Sequence, residues 1–294
     1  MFDFRYHLVS LTAVFLALVI GILVGIGISG RGFVDQAERK RLNGDIADLR
    51  SQLEFEKTRS GELQRRERAD RDVIGAAYPV LVQARLKEKR VAVLFVGSAD
   101  QALGFSVGQA VRDAGGQVSR SRALRVPIDA AAVEKRLAAV PALAGYVGDA
   151  QLPNLGRDLG RELVQGRETP LWDALSGLLV EEQSGAPLLP ADGVVVLRTA
   201  APQQGPTAVF LAGLYAGLAT AGVPAVGVEG AESDPSAVPV FARARLSTVD
   251  GIETPPGRLA LVLLLAGGEP GNYGVEQTAT DGILPPLEPL PAGG

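Results

Sequence analysis

The run from Leu8 to Ile28, LVSLTAVFLALVIGILVGIGI, constrains what the rest of this chain can be. It is 21 residues without a charge, and only Ser10 and Thr12 carry polar side chains. A bilayer core of about 30 Å takes roughly 20 apolar helical residues, so the run is expected to be a transmembrane helix bounded by Leu8 and Ile28. A cleaved signal peptide would have a shorter apolar region and an A-x-A-like site. Here the run closes on Gly27-Ile28-Ser29-Gly30-Arg31. An uncleaved signal anchor, single-pass in a cell membrane, is therefore the expectation, with a cleaved signal and a buried core helix as alternatives. Gly21 and Gly25 have the small-xxx-small spacing that lets two membrane helices approach. The preceding head, residues 1–7, places Phe2, Phe4, Tyr6 and Arg5 where aromatic and cationic side chains favour the headgroup zone.

Residues 31–77 change character. They are dense in charged residues, Gln and Leu, and contain no proline. Leu42, Ile46, Leu49 and Leu53 step by four, three and four, the a/d spacing of a coiled-coil interface. The register continues to Glu56, Ser60 and Leu63, so the seam weakens after two heptads. A solvated helix is one reading, and a parallel coiled coil with a second copy or a partner protein is the other. A membrane anchor favours the second by raising local concentration. As a continuous helix the 47 residues would extend roughly 70 Å. Tyr78-Pro79 is expected to end or kink it. Lysine and arginine counts favour a cytoplasmic C-terminal part, but long domains translocate regardless of charge. The side of the membrane stays open.

From Arg90 the pattern becomes βα. Arg90–Val96 and Gly193–Thr199 are continuous apolar runs, as strands covered on both faces should be. Between and after them the spacing predicts helices at 101–114, 130–140, two across 155–179, 206–221, 234–246 and 257–266. Further strands are expected at 117–126, more like an edge because its side chains alternate with polar ones, at 223–228, and as short pieces at 145–148 and 248–252. Ser184–Asp192 reads as a loop. The run LALVLLLAGG near the end is too short to span a bilayer and reads as a core helix, with a strand as the alternative. The fold class expected for residues 88–281 is α/β, a Rossmann-like or flavodoxin-like parallel sheet with helices on both faces. Residues 282–294 hold four prolines and are expected to be an extended or disordered tail.

Composition narrows the chemistry. Net charge is −4 over 294 residues, which makes nucleic acid a poor partner. With no cysteine, disulfides, thiolate metal sites and a Cys nucleophile are excluded. The single histidine, His7, stands at the membrane edge, so no Ser-His-Asp arrangement is available. No enzyme, resident metal or cofactor is expected. In such folds ligands sit outside the carboxyl ends of the strands. The loops there carry Ser98 and Asp100, Thr199–Thr207, and Ser233 and Asp234. No G-x-G-x-x-G or P-loop is present, and Asp100 would repel a phosphate. Ser98, Asp100, Ser233 and Asp234 are thus weak ligand-loop candidates whose residue types also suit helix caps. Glu229, Glu232, Asp234 and Asp250 would offer hard oxygen ligands if they converged.

Three stretches together carry a family resemblance: FRYHLVSLTAVFLALVIGILVG at the N-terminus, the charged helix, and SDPSAVPVFARARLSTVDGIETPPGRLALVLLLAGGEPGNYGV followed by Ile283-Leu284-Pro285. The chain resembles, over essentially its whole length, the actinobacterial MctB family, labelled copper transporters. That family includes the SteB proteins, associated with a partner, SteA, in cell separation. The resemblance implies a membrane anchor, a coiled coil and a globular domain. It implies a role in copper transport or homeostasis, with copper as cargo, or alternatively an envelope scaffold acting with a SteA-like partner. Copper sites favour Cys, Met and His, which here amount to Met1 and His7.

Overall fold

The computed structural model describes residues 4–28, 31–185, 189–231 and 233–287. The chain divides into two compact units, Met1–Asp70 and Arg71–Gly294.

In the first unit, α1 spans Phe4–Ile28. Its segment His7–Gly27 has a mean hydropathy of 2.8 and is long and apolar enough to cross a membrane. Thr12 satisfies its hydroxyl inside the helix, donating to the Leu8 carbonyl at 2.8 Å. Ser29 and Gly30, the end of the glycine cluster, lie outside the described residues. Helix α2 spans Arg31–Val82 and has Pro79 inside it. The expected stop at Tyr78-Pro79 is therefore displaced by about a turn. Pro79 falls in the last turn, and Tyr78 and Val82 on either side of it are buried in the core of the second unit. Packing of those side chains outweighs the lost hydrogen bond.

The second unit is built on seven strands: β1 Arg90–Val96, β2 Gln117–Leu124, β3 Val180–Gly185, β4 Gly193–Arg198, β5 Ala225–Val228, β6 Ser247–Val249 and β7 Asn272–Tyr273. Their order is β3-β2-β1-β4-β5-β6-β7. All neighbours are parallel except β2 and β3. Without the antiparallel β3, the parallel strands run 2-1-3-4-5-6, the flavodoxin-like arrangement with one strand added. The helices are α3 Gln101–Asp113, α4 Ala130–Ala138, α5 Leu152–Gln165, α6 Pro170–Leu179, α7 Gly205–Ala219, α8 Val238–Arg243 and α9 Pro255–Leu265.

Two cores form, one on each face. Ala92, Leu94 and Val96 of β1 join Leu124, Val194 and Val196 under α4, α5, α6 and α7. Val91, Val93 and Phe95 join Val195, Leu197 and Val228 under α3, α9 and the end of α2. Alternate residues of β1 feed opposite cores, which is why its sequence shows no polar interruption. The apolar run near the end is α9, buried along almost its whole length, and Thr254 caps it by accepting from the Gly257 amide at 3.2 Å.

Four expectations change. Strand β2 is not an edge, because β3, whose last two residues fall in the expected loop Ser184–Asp192, pairs with it over Arg120–Leu124. Its arginines are buried rather than solvated. Residues 145–148 form no strand; Pro141–Tyr146 is a 3-10 helix. The helix expected from Asp234 begins only at Val238, after a cis Asp234-Pro235 bond. The tail also starts inside the structure: Leu284 packs on the core and Pro285 is buried, while residues 288–294 lie outside the described residues.

Candidate functional site

Strand β1 lies between β2 and β4, so the connections leaving it and returning beside it go to opposite sides. That makes the carboxyl ends of β1 and β4 the switch point of the sheet, where such folds hold ligands. The two loops there touch. Gly97 has φ of +115°, and a Cβ on it would lie 2.7 Å from both the Ala200 amide and Thr199 Oγ1. Thr199 donates its hydroxyl to the Ser98 carbonyl at 2.7 Å, and the amides of Thr199 and Ala200 both reach the Val96 carbonyl at 3.0 Å.

A cavity of about 370 Å³ opens beside this junction, lined among others by Val96, Arg198, Gln203, Leu211, Tyr215 and Arg243. Its size suits a small molecule, and its walls are mostly apolar with two guanidinium groups. Tyr215 is buried in α7 with its ring edge-on to Phe241, centroids 5.3 Å apart and planes at 80°. Burial raises its phenol above the ordinary range, partly opposed by Arg198. Arg198 also donates to the Pro235 carbonyl, tying the rim to the loop after β5. Position 203 lies in the expected loop Thr199–Thr207. Leu211, Tyr215 and Arg243 come from helices whose apolar spacing reads simply as core.

The four loop candidates are not joined into one site. Asp100 caps α3, its Oδ1 accepting from the amides of Ala102 and Leu103 at 2.9 Å each. Ser98 donates to Glu181 on β3 at 3.1 Å. Ser233 and Asp234 stand toward the other edge, around a shallow depression shared with Ser236, Glu276 and Thr278. The helix cap expected from Asp234 does not form: α8 starts at Val238 without a side-chain cap, and Glu229 braces the turn before it, accepting from Ser236 Oγ at 2.6 Å and from the Ala237 amide at 2.5 Å. Asp250 is used likewise, accepting from the amides of Val275 at 2.7 Å and Glu276 at 3.2 Å. The Glu276 carboxyl is raised by desolvation and by the nearby charges of Asp250, Glu229 and Glu253. Glu232 lies outside the described residues. Among the described residues no three His, Cys, Asp or Glu side chains converge as a metal site.

Asp100→Ala should therefore lower unfolding stability by about 1 kcal/mol, the cost of a lost N-cap. Denaturant unfolding would show it as a lower midpoint at unchanged slope. An unchanged midpoint would mean that the cap contributes nothing and that Asp100 is free for another role.

In the first unit the seam residues stay uncovered. Leu42, Ile46, Leu49 and Leu53 are 53%, 42%, 63% and 69% exposed. No curated protein matches the chain. A protein-family model described as "Copper transport outer membrane protein, MctB" matches residues 1–284.

Proposed function

The chain belongs to the MctB family, and from that premise we propose that it is a single-pass membrane-anchored scaffold in a copper-transport-related process of the envelope. It works by drawing copies of its α/β domain together through a parallel coiled coil. The observation that carries this reading is the exposed seam of α2, an apolar stripe along Leu42, Ile46, Leu49 and Leu53.

The occupant we favour is a second copy. With Ile46 and Leu53 at a and Leu42 and Leu49 at d, the choice of Ile and Leu favours two parallel strands. Asp45 then falls at g and Arg50 at the following e, so opposite charges face each other across an in-register dimer. A shared membrane anchor makes the parallel orientation the natural one and supplies the effective concentration that two heptads alone lack.

Copper enters as cargo, and the residues do not fit a site that would hold it. Cuprous and cupric ions favour thiolate, thioether and imidazole ligands. The chain has no cysteine, one methionine and one histidine, at positions 1 and 7. Nor do the described strands suit a barrel: they are 2 to 8 residues long and mostly parallel, where a spanning strand needs about 9–11.

Because the native chain lacks cysteine, Leu49→Cys introduces its only thiol. Oxidation of that variant in membranes should yield a disulfide-linked dimer, while Phe55→Cys, at an outward c position, should cross-link far less. Equal cross-linking at both positions, or none at position 49, would overturn the homodimer. A cross-link at 49 only to a different protein would give the seam to a SteA-like partner instead.

A further inference from the structure

Strand β2 reads Gln-Val-Ser-Arg-Ser-Arg-Ala-Leu, and its period of two puts Arg120, Arg122 and Leu124 on one face. Leu124 belongs to the core, and the two arginines are buried beside it, 2% and 6% exposed. Strand β3 covers them from the side, Gly185 opposite Arg120 and Gln183 opposite Arg122. From α6, Trp172 stacks on Arg122, with the guanidinium carbon 4.3 Å from the ring centroid. The ring is held in place, since its Nε1 donates to the Leu159 carbonyl at 2.9 Å.

Arg122 keeps a donor that the protein does not use. Arg122 Nη1 is buried and has no hydrogen-bond partner. The acids that could pair with it are engaged elsewhere. Glu162 accepts from the amides of Leu171 and Trp172 at 3.1 Å, and Asp173 accepts from the Thr169 hydroxyl at 3.2 Å. Arg120 donates to the Leu189 carbonyl. A buried charged donor without a partner is costly, and native proteins avoid leaving one. A cavity of about 370 Å³ opens onto Arg122 and Arg120, with Asp173, Ser176, Gln183 and Ser184 as further polar walls.

We propose that this cavity binds a small ligand carrying an oxyanion, a carboxylate or a phosphate, with Arg122 Nη1 as its principal donor and Trp172 as the platform that fixes the guanidinium plane. The stacked, planar fork suits bidentate recognition of such a group. The electrostatics agree: burial first, and then the charge of Arg120, bring Arg122 down to about 10, with Asp173 and Glu162 only partly opposing. A bound anion would stabilise the charged form. The volume admits a small molecule and not a chain segment of any length. This site lies beneath the antiparallel strand, is separate from the switch-point cavity, and does not depend on the coiled-coil reading.

The protein carries its own reporter, because Trp172 is its only tryptophan. Full-length protein in a non-ionic detergent would be titrated with inorganic phosphate, and separately with succinate, at constant ionic strength against chloride. A saturable change in tryptophan fluorescence with either anion is expected, and which of the two acts says whether phosphate or carboxylate is the ligand chemistry. Arg122→Lys should weaken it by about tenfold or more, the loss of a charge-assisted hydrogen bond. Ser176→Glu, on the half-buried face of α6, places a competing carboxylate in the cavity and should abolish the response while raising the melting temperature. The second variant decides the matter if the first fails to fold. No saturable change with either anion beyond chloride, or an unchanged response in Ser176→Glu, would overturn the proposal.

Discussion

Replacing Ile46 and Leu49 together with glutamate is expected to leave the full-length protein monomeric in detergent, with its α/β domain still folded. Each apolar side chain buried in a dimer contributes about 1.5–3 kcal/mol. Four of them are lost per dimer, on the order of 6–12 kcal/mol, which is more than a seam of two heptads can spare. The new carboxylates would also face one another at a and d positions. Sedimentation would report the loss of association, and the thermal transition of the second unit should not move, because the seam belongs to the separate unit Met1–Asp70. A dimer that survives the double substitution would sink the coiled-coil reading and shift attention to the face of α1 bearing Gly21 and Gly25, where added Cβ atoms meet nothing within 4 Å.

A second large effect is expected deep in the α/β domain. Helices α5 and α7 pack through facing glycine pairs, Gly156 and Gly160 against Gly213 and Gly217. A Cβ at Gly217 would lie 2.1 Å from the Arg157 carbonyl oxygen, and one at Gly213 would lie 2.1 Å from that of Pro153. Both obstacles are backbone, so no side-chain rotation relieves the clash, and the helices must separate. Gly217→Val should destabilise the domain by at least about 3 kcal/mol. For a domain of this size that lowers the melting temperature by roughly 6–12 °C. Gly177→Ala is the matched control: a Cβ there meets nothing within 4 Å, and alanine is the better helix former, so its melting temperature should hold or rise. A Gly217→Val protein melting within a degree or two of the parent would show that the two helices are not packed this closely. Because α7 also carries Leu211 and Tyr215 to the switch-point cavity, the same variant should deform that site.

How legible these features were depended on whether a residue's neighbours in sequence were also its neighbours in space. Strands β1 and β4 stood out because both faces are buried and, apart from one terminal arginine in each, every side chain is apolar. Caps such as Asp129 and Thr254 are local features, because each accepts from an amide three residues away. Strand β3, VEEQSG, carries almost no apolar signal, since five of its six residues face solvent and only its backbone pairing with β2 makes it a strand. The arginines of β2 looked like the marks of an exposed edge. They are buried because β3 and Trp172, far along the chain, close over them. The loop after β5 misled for a similar reason. Asp234 has the residue type of a cap, but Glu229, five residues earlier, already holds the Ala237 amide.

By itself the sequence determined the segments whose physics is local or one-dimensional. These are an apolar run of membrane-spanning length, a heptad seam, a succession of strands and helices requiring a doubly covered sheet, and a donor set too poor in sulfur and imidazole for copper. Tertiary structure alone decided which polar groups are spent and which are left over. Glu229 and Asp250 are consumed as internal acceptors, while Arg122 keeps an unpaired donor in a cavity. The reason is that the cost of burying a charge depends on partners brought together across the fold, and these come from strand order and helix packing rather than from spacing along the chain.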